Sequence, residues 1–416
     1  MSTSFDAMRL SVAAVRGQMA DVARDGVSLM QVPDVLPMAR MFCAWGLAAA
    51  LGDLGHLDRL EATTADAYAL AETLPETAHL RFGLGVHHIE ALRLAGDVTQ
   101  MTVYATRLHD QALDHPPSLA IAGLLLGMTA AAQGDLSSAR RWLRESLAAY
   151  EYDTPVTQHS GNWLAIVHGM TGDHAAAREQ LHKIQRQGVP WITLWDPMSD
   201  LANAWADAAA GQVSSALASV TAAANLLRGA DRPAREVWCL QTATQFGDAT
   251  TADRLRELTR TVQGPRATTA AAHASALAQN DGSALLMASS SYQAFGDKVA
   301  AADAAAQAAT AFRAAGSRGS ALTAAAVATR LAEECGADTP ALKSITLHAV
   351  LTPRQREIAS LVAGGLSNRD IATRLHMSIR SVEGHILRAS QRNGVKTRDA
   401  LAALLAHRSI PESEVE

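Results

Sequence analysis

The chain has 416 residues, and 48% of them are hydrophobic. This length exceeds what one compact core usually holds, and the composition excludes a disordered chain. The net charge of −5 is unevenly distributed. Residues 351–408 carry ten Arg or Lys against four Asp or Glu, a net charge of +6 that leaves −11 on the remainder. A basic C-terminal region next to an acidic body favours a nucleic-acid contact confined to that region.

The sequence contains no signal for export, membrane insertion or metal binding. The cysteines Cys43, Cys239 and Cys335 lie far apart, without the paired spacing of a disulfide framework or a metal cluster. The first thirty residues mix charged and apolar positions and do not read as a secretory signal. The longest apolar run, 119–132, is too short to span a bilayer. We therefore expect a cytoplasmic protein with no cofactor and no membrane contact.

A glycine beside a polar residue recurs along the first 336 residues at intervals of 34 to 44 residues. The pattern predicts helical hairpins, because glycine can end one helix and the polar residue can cap the next. Alternating runs of β-branched and aromatic residues are scarce, so no strands are expected. The pairs are Gly52-Asp53, Gly96-Asp97, Gly134-Asp135, Gly172-Asp173, Gly211-Gln212, Gly247-Asp248, Asp281-Gly282 and Gly316-Ser317. The pattern is similar to tetratricopeptide repeats, which implies an all-α solenoid with a concave groove for peptides, helices or proteins.

Two tryptophans stand out in the repeat region. Trp191 and Trp195 lie between prolines in residues 189–198, a segment predicted to be non-helical. One interpretation makes them a ligand or partner contact. The other places them in the groove between hairpins, which is the more common position of aromatic side chains in helical proteins.

No catalytic or metal-binding arrangement emerges from the remaining residues. His87 and His88 lie near Glu90, but adjacent side chains point to different faces of a helix and no third ligand is apparent. Neither a Gly-x-Ser-x-Gly element nor a Gly-x-x-x-x-Gly-Lys-Ser/Thr phosphate-binding loop is present. We therefore predict no catalytic residues, no metal site and no enzymatic activity.

The C-terminal region predicts four short amphipathic helices. Their N-caps are Thr352, Ser367, Ser378 and Thr397, and the third helix spans residues 378–392. Helical periodicity gives each of the first three helices an apolar face. The predicted inward-facing residues are Ile358, Leu361 and Val362, then Ile371, Ala372 and Leu375, then Val382, Ile386 and Ala389.

Three sequence elements in this region carry a family resemblance. They are Leu-Thr-Pro-Arg-x-Arg-Glu from Leu351, Gly-Leu-Ser-Asn-x-x-Ile-Ala from Gly365 and Ser-x-x-x-Val-x-x-His from Ser378. Together they resemble the DNA-binding module of LuxR-type bacterial transcription regulators. The resemblance implies that helix 378–392 enters the major groove and that the fourth helix forms a dimer. The residues implied at the dimer contact are Leu401, Leu404 and Leu405.

The same resemblance assigns a DNA-contacting set within the third helix. Glu383, Gly384 and Leu387 fall where base edges are approached, and Glu383 occupies a position where the family usually has lysine. The whole set comprises Ser378, Arg380, Ser381, Glu383, Gly384, His385, Leu387 and Arg388.

The predicted organisation is all-α, with a helical-hairpin (TPR-like) solenoid followed by a four-helix LuxR-type helix-turn-helix domain. The solenoid covers residues 1–336, a linker 337–350, the helix-turn-helix domain 351–408 and a tail 409–416. The predicted function is that of a bacterial transcription regulator that binds double-stranded DNA as a homodimer and is controlled through the solenoid. RNA polymerase and a peptide, protein or small-molecule effector are further expected partners. The alternative is a helical-repeat adaptor for protein docking, with weak or conditional DNA binding.

Overall fold

The computed structural model describes residues 2–32, 35–150, 153–186, 196–350, 353–363 and 365–392. Within these ranges it contains 22 α-helices, two 3-10 turns and no strand, which confirms the all-α prediction. The chain divides into two compact units, Met1–Leu342 and Lys343–Glu416. The helices of the first half are α1 Ser2–Val15, α2 Met19–Met30, α3 Pro37–Leu54, α4 Leu57–Thr73, α5 Leu80–Ala95, α6 Val98–Ala112, α7 Leu119–Gln133, α8 Leu136–Ala148, α9 Pro155–Met170, α10 His174–Arg186 and α11 Asp196–Ala209. They are followed by α12 Val213–Gly229, α13 Pro233–Gln245, α14 Ala252–Leu258, α15 Pro265–Ala278, α16 Gly282–Phe295, α17 Lys298–Ala314, α18 Arg318–Cys335, α19 Pro340–Val350, α20 Pro353–Ala363, α21 Asn368–Arg374 and α22 Ile379–Arg392.

Glycine and aspartate form the turns of the repeats much as the sequence predicts. Gly134 ends α7 with a φ of 77°, a left-handed conformation that glycine adopts at little cost. Asp135 then caps α8 by accepting a hydrogen bond from the backbone N–H of Ser138 at 3.0 Å. Gly96 and Asp97 perform the same two roles between α5 and α6.

The pair Gly52-Asp53 does not end a helix, so that part of the repeat prediction is wrong. Helix α3 continues to Leu54 and ends at Gly55, whose φ is 80°. Gly52 lies where α3 crosses α5, and a Cβ atom there would overlap the Cβ of Ala91. Gly52 lies at a helix crossing and Gly134 lies at a helix end, yet both are followed by aspartate. The sequence pattern therefore does not distinguish the two cases.

The solenoid closes on itself across its concave side. Consecutive helices pack against each other from α3 to α18, and the alternate helices α3, α5, α7, α9 and α11 form an inner layer. Inner helices of the first half also contact those of the second half, in the pairs α3–α13, α5–α13, α5–α15 and α7–α17. A backbone hydrogen bond of 2.9 Å from Gln263 N–H to the Gly55 carbonyl joins the two halves at one turn.

One described stretch, Pro116–Gln133, has the length and apolar composition of a membrane span. It contains α7, and 61% of it is buried inside the protein. The core helices of repeat proteins commonly have this composition, because inner helices are apolar on most sides.

Residues 340–350, within the segment predicted to be a linker, form helix α19. The hydroxyl of Thr339 accepts a hydrogen bond of 3.4 Å from the backbone N–H of Leu342, and Pro340 occupies the first helical position. Leu342 and Ile345 are buried. The apolar residues of this short helix do not follow a clear helical period, which is why the sequence pattern indicates a linker. The division between the two compact units falls within α19.

Helices α20, α21 and α22 of the second unit share a small apolar core. Its buried members are Ile358, Val362, Ile371, Ala372 and Val382, and Leu361, Leu375 and Ile386 pack against them half-buried. The predicted apolar faces of the three helices are therefore confirmed. The predicted fourth helix, including Leu401, Leu404 and Leu405, lies outside the described residues, as do Trp191 and Trp195.

Candidate nucleic-acid interface

Helices α21 and α22 each begin at a serine cap, and a tight turn joins them. Ser367 accepts a hydrogen bond from the Asp370 N–H, and the Asp370 carboxylate accepts one from the Ser367 N–H, each at 3.2 Å. His376 takes a left-handed conformation, with a φ of 50°, in the turn. The hydroxyl of Ser378 then accepts a hydrogen bond of 3.1 Å from the Ser381 N–H and caps α22.

Helix α22 has one face on the core and one face in solvent. Val382 and Ala389 are buried, and Ile386 packs beside them. The opposite face is polar and charged apart from Leu387, which is 58% exposed. Six residues of the predicted DNA-contacting set are exposed, namely Ser378, Arg380, Ser381, Glu383, Leu387 and Arg388, and two are half-buried, namely Gly384 and His385.

The half-buried His385 lies at the flank of this face. Its Nδ1 atom is buried and has no hydrogen-bond partner among the described residues. Burial lowers the pKa of His385, and the charges of Arg388 and Arg354 lower it further. The imidazole is therefore neutral at pH 7 and can offer a hydrogen bond, but not a positive charge, to a phosphate.

Arg354 positions the turn and was not singled out by the sequence. Its guanidinium donates a hydrogen bond of 2.7 Å to the Leu375 carbonyl, which caps the end of α21, and it pairs with Glu357 at 2.7 Å. This contact ties α20 to the turn before α22. Arg354 belongs to the Leu-Thr-Pro-Arg element. This motif therefore includes a residue that holds the turn in place, which helical periodicity alone does not indicate.

An open groove of about 630 Å³ lies beside the N-terminus of α22. Arg369, Thr373, His376 and Ser378 line it together with apolar neighbours. A positive side chain, hydroxyls and the free N–H groups of a helix start all favour a phosphate group. The groove is therefore suited to the DNA backbone next to the outward face of α22.

The interior of the solenoid contains a cluster of buried charges, which we call the central charge cluster (Asp53, Glu90, Arg93, Arg232 and Arg235). Asp53 accepts hydrogen bonds of 2.6 Å from the Nε atoms of both Arg232 and Arg235. Glu90 accepts from Arg235 at 2.9 Å and from Arg93 at 2.8 and 2.9 Å. Burial tends to raise the pKa of Glu90, but Arg93 and Arg235 outweigh it and hold the pKa well below its usual range.

Aromatic rings fill the space beside the central charge cluster. The guanidinium of Arg93 lies 3.6 Å from the ring centre of Trp238 and 5.1 Å from that of Trp163. A cavity of about 30 Å³ remains between these residues and Trp205, which is the volume of about one water molecule. The solenoid thus fills its own concave side at this level, where the sequence predicts an open groove.

The histidine pair belongs to the same interior. His87 meets the ring of Trp45 edge-on, with 4.4 Å between ring centres. His88 packs edge-on against Tyr104 at the same distance. Burial lowers the pKa of His87 to about 3 and that of His88 to about 4, so both rings are neutral. Both histidines therefore serve as packed aromatic side chains in the core.

Residues 336–342, which we call the exit segment, follow α18 and include the first turn of α19. They are anchored to the solenoid at two points. The backbone N–H of Asp338 donates a hydrogen bond of 2.9 Å to the carbonyl of Met170, at the end of α9. The hydroxyl of Thr339 donates to the buried carboxylate of Asp303 in α17, which also accepts from Gln245 at 2.8 Å. Burial raises the pKa of Asp303 to about 7, although these two hydrogen bonds partly oppose the shift.

Residues 349–405 match the family described as bacterial regulatory proteins, luxR family. An HTH-type transcriptional regulator of Mycobacterium bovis is 41% identical over 61 residues, which are 15% of this chain and 7% of that protein. The tetrathionate response regulatory protein TtrR of Salmonella typhimurium is 34% identical over 71 residues, 17% of this chain and 34% of that protein. The chain thus spans between 7% and 34% of the length of these relatives, and the likeness is confined to its C-terminal part.

The solenoid is similar in fold to a Rap protein whose crystal structure was solved in complex with competence and sporulation factor. The TM-score is 0.55 at 11% sequence identity, and the superposition covers 80% of this chain and 98% of that protein. At this identity the likeness concerns the fold alone. It confirms the helical-repeat architecture, and the family match confirms the resemblance of the C-terminal unit to LuxR-type regulators.

Proposed function

We propose that this chain, whose C-terminal unit is a LuxR-family domain, is a transcription regulator that reads the DNA major groove with α22. The observation that carries the proposal is the outward face of α22, where arginines and hydroxyls surround Glu383 and Leu387. In helix-turn-helix proteins the second helix enters the major groove and the first crosses the DNA backbone. Helix α21 and the groove beside the start of α22 are suited to contact the DNA backbone.

The DNA-bound form in this proposal is a homodimer. Two recognition helices about one helical turn of DNA apart read a roughly palindromic site. The dimer contact is assigned to Leu401, Leu404 and Leu405, which share an apolar stripe in the sequence. RNA polymerase is the proposed partner at the promoter, and a bacterial cytoplasm is the proposed location.

The solenoid is proposed to control the DNA-binding domain through the exit segment. Thr339 and Asp338 anchor this segment to α17 and to the end of α9, which belong to opposite halves of the closed solenoid. A movement of one half against the other would strain or break one of the two anchors. Helix α19, which begins at Pro340 within the exit segment, precedes the DNA-binding domain in the sequence.

A peptide, protein or small-molecule effector is the proposed source of such a movement. The concave side is filled beside the central charge cluster, but a cleft of about 590 Å³ lies between α2, α3 and α4. Met30, Leu47 and Leu70 provide apolar lining, and Arg40 and Asp66 provide one charge of each sign. This volume falls in the range of small-molecule sites.

The test of the proposed function is DNA binding by the full chain. Genome-wide occupancy would supply candidate operators, and fluorescence anisotropy at low salt would measure their affinity. We expect tight binding that Arg388→Ala weakens severalfold. Arg318→Ala, which removes an exposed arginine from the solenoid, serves as the matched control and should leave the affinity unchanged. Equal affinity for operator and unrelated DNA, unaltered by Arg388→Ala, would support the adaptor alternative instead.

A further inference from the structure

The outward face of α22 contains a carboxylate where DNA-binding surfaces usually have positive charge. Glu383 is exposed, and within the described part of the chain it takes part in no hydrogen bond or ion pair. A free carboxylate is repelled by phosphates, so its position at the centre of a DNA-facing helix costs affinity unless a base offers it a hydrogen-bond donor. The donors in the major groove are the amino groups of cytosine and adenine.

The pattern of acceptors around these two amino groups favours cytosine. In an A·T pair the adenine amino group lies between two acceptors, adenine N7 and thymine O4. In a C·G pair the cytosine amino group has an acceptor on only one side, guanine O6. A carboxylate therefore meets less repulsion at cytosine than at adenine.

Leu387 adds a second element to this face. It lies one helical turn after Glu383 and is 58% exposed, although every other leucine of the described DNA-binding helices is at least half-buried. An exposed leucine on a recognition helix is suited to the C5-methyl group of thymine, the one apolar group that a base edge presents in the major groove. Four residues of helix rise about 6 Å, which corresponds to one or two base-pair steps.

Gly384 allows this pair to approach the bases. The heavy atoms nearest to a Cβ built at Gly384 belong to the Arg388 guanidinium, the closest of them at 3.5 Å. Because this guanidinium ends a flexible side chain, it can move aside when the edge of a base pair approaches the glycine. Arg388 can then bind the DNA backbone.

We infer that Glu383 selects a cytosine in the operator half-site and that Leu387 selects a thymine one or two base pairs away. This inference rests on the proposed DNA binding by α22 and specifies which bases it prefers. The operator is then recognised partly by exclusion, because the acceptor atoms of guanine and thymine repel the Glu383 carboxylate.

The experiment is selection of full-length protein on randomised duplex DNA, followed by affinity measurements on single base changes. We expect the wild-type protein to favour cytosine at one half-site position by about 5- to 150-fold, the usual cost of one mismatched base pair. Glu383→Lys should shift that preference to guanine, whose O6 and N7 accept from lysine, and Glu383→Gln should shift it to adenine. Glu61→Gln, which removes an exposed carboxylate from α4, is the charge-matched control and should keep cytosine.

The thymine contact is tested with deoxyuridine, which lacks only the methyl group. Replacement of the selected thymine by deoxyuridine should weaken binding of the wild-type protein about fourfold. The affinity of the Leu387→Ala protein should be the same for both duplexes. A cytosine preference that survives both substitutions of Glu383 would overturn the inference while leaving DNA binding intact. Absence of any enriched sequence for the wild-type protein would overturn the proposed function itself and the inference with it.

Discussion

Arg235 and Asp53 form a hydrogen-bonded ion pair of 2.6 Å although 182 residues separate them in the sequence. Both side chains are almost completely buried. Arg235 also reaches Glu90, so one guanidinium holds α13 against both α3 and α5. The closure of the solenoid therefore depends on charges that have been removed from water, and such charges are tolerated only when each is paired.

The first prediction concerns Asp53. Asp53→Asn retains the size of the side chain but leaves Arg232 and Arg235 short of one negative charge. Breaking a buried pair in this way typically costs about 3–5 kcal/mol of unfolding free energy. We expect a clearly lower urea midpoint and thermal midpoint, measured by circular dichroism on the full chain.

The control for Asp53→Asn is Glu257→Gln, which removes an exposed carboxylate that pairs with Arg254 at 2.9 Å. Solvent screens that pair, so the midpoints should hardly change. Equal midpoints for wild type and Asp53→Asn would contradict a stabilising role of the central charge cluster.

The second prediction concerns two glycines with opposite expectations. Gly52→Ala places a methyl group against Ala91, where α3 crosses α5, and overpacking of this kind costs about 1–3 kcal/mol. Gly319→Ala, in the exposed first turn of α18, meets nothing within 4 Å and should stabilise the protein by up to about 1 kcal/mol. The two unfolding midpoints should move in opposite directions, and an unchanged or higher midpoint for Gly52→Ala would refute the close helix crossing.

Local rules predict the features of this chain that depend on neighbouring residues. Ser367 and Ser378 cap their helices because a hydroxyl three residues before a free N–H can reach it in any fold. The apolar faces of α20 to α22 follow from helical periodicity, since each helix has only one side on the core. Gly134 and Asp135 form their turn for similarly local reasons.

Features that depend on distant residues could not be predicted in this way. No sequence pattern indicates that Asp53 faces Arg232 and Arg235, because helix pairing across the closed solenoid decides it. The same closure fills the concave side beside the central charge cluster, where the repeat pattern predicts an open groove. The anchoring of helix α19 is also long-range, because Thr339, which caps it, donates a hydrogen bond to Asp303, 36 residues earlier.

The third prediction uses the buried carboxyl group of Asp303. Its pKa in the folded protein is about 7, against an ordinary value of 3.8. Between these values the unfolded chain has lost the proton while the folded chain retains it. The contribution of Asp303 to stability is therefore full below about pH 4 and is lost as the pH rises to about 7.

Asp303→Asn should remove this dependence, because an amide does not ionise. Buried histidines such as His87 and His159 have lowered pKa values and produce the opposite slope, with stability lost as the pH falls. They are present in both proteins, so the difference between the two unfolding midpoints isolates Asp303. We expect Asp303→Asn to gain stability relative to wild type from about pH 4 to about pH 7, and a difference that is constant over this range would contradict a raised pKa.

The last prediction separates backbone contacts from base contacts on α22. Arg380 is exposed in the first turn of this helix, and we expect its positive side chain to meet a phosphate. Arg380→Ala should weaken binding to operator and to unrelated DNA by similar factors, because a phosphate contact carries no sequence information. The plot of log affinity against log salt should become shallower by about one unit for the phosphate contact that is lost.

Leu387→Ala removes no charge, so the salt dependence should stay unchanged while discrimination between operator and unrelated DNA decreases. An Arg380→Ala protein that loses discrimination but keeps its salt dependence would instead place Arg380 at a base.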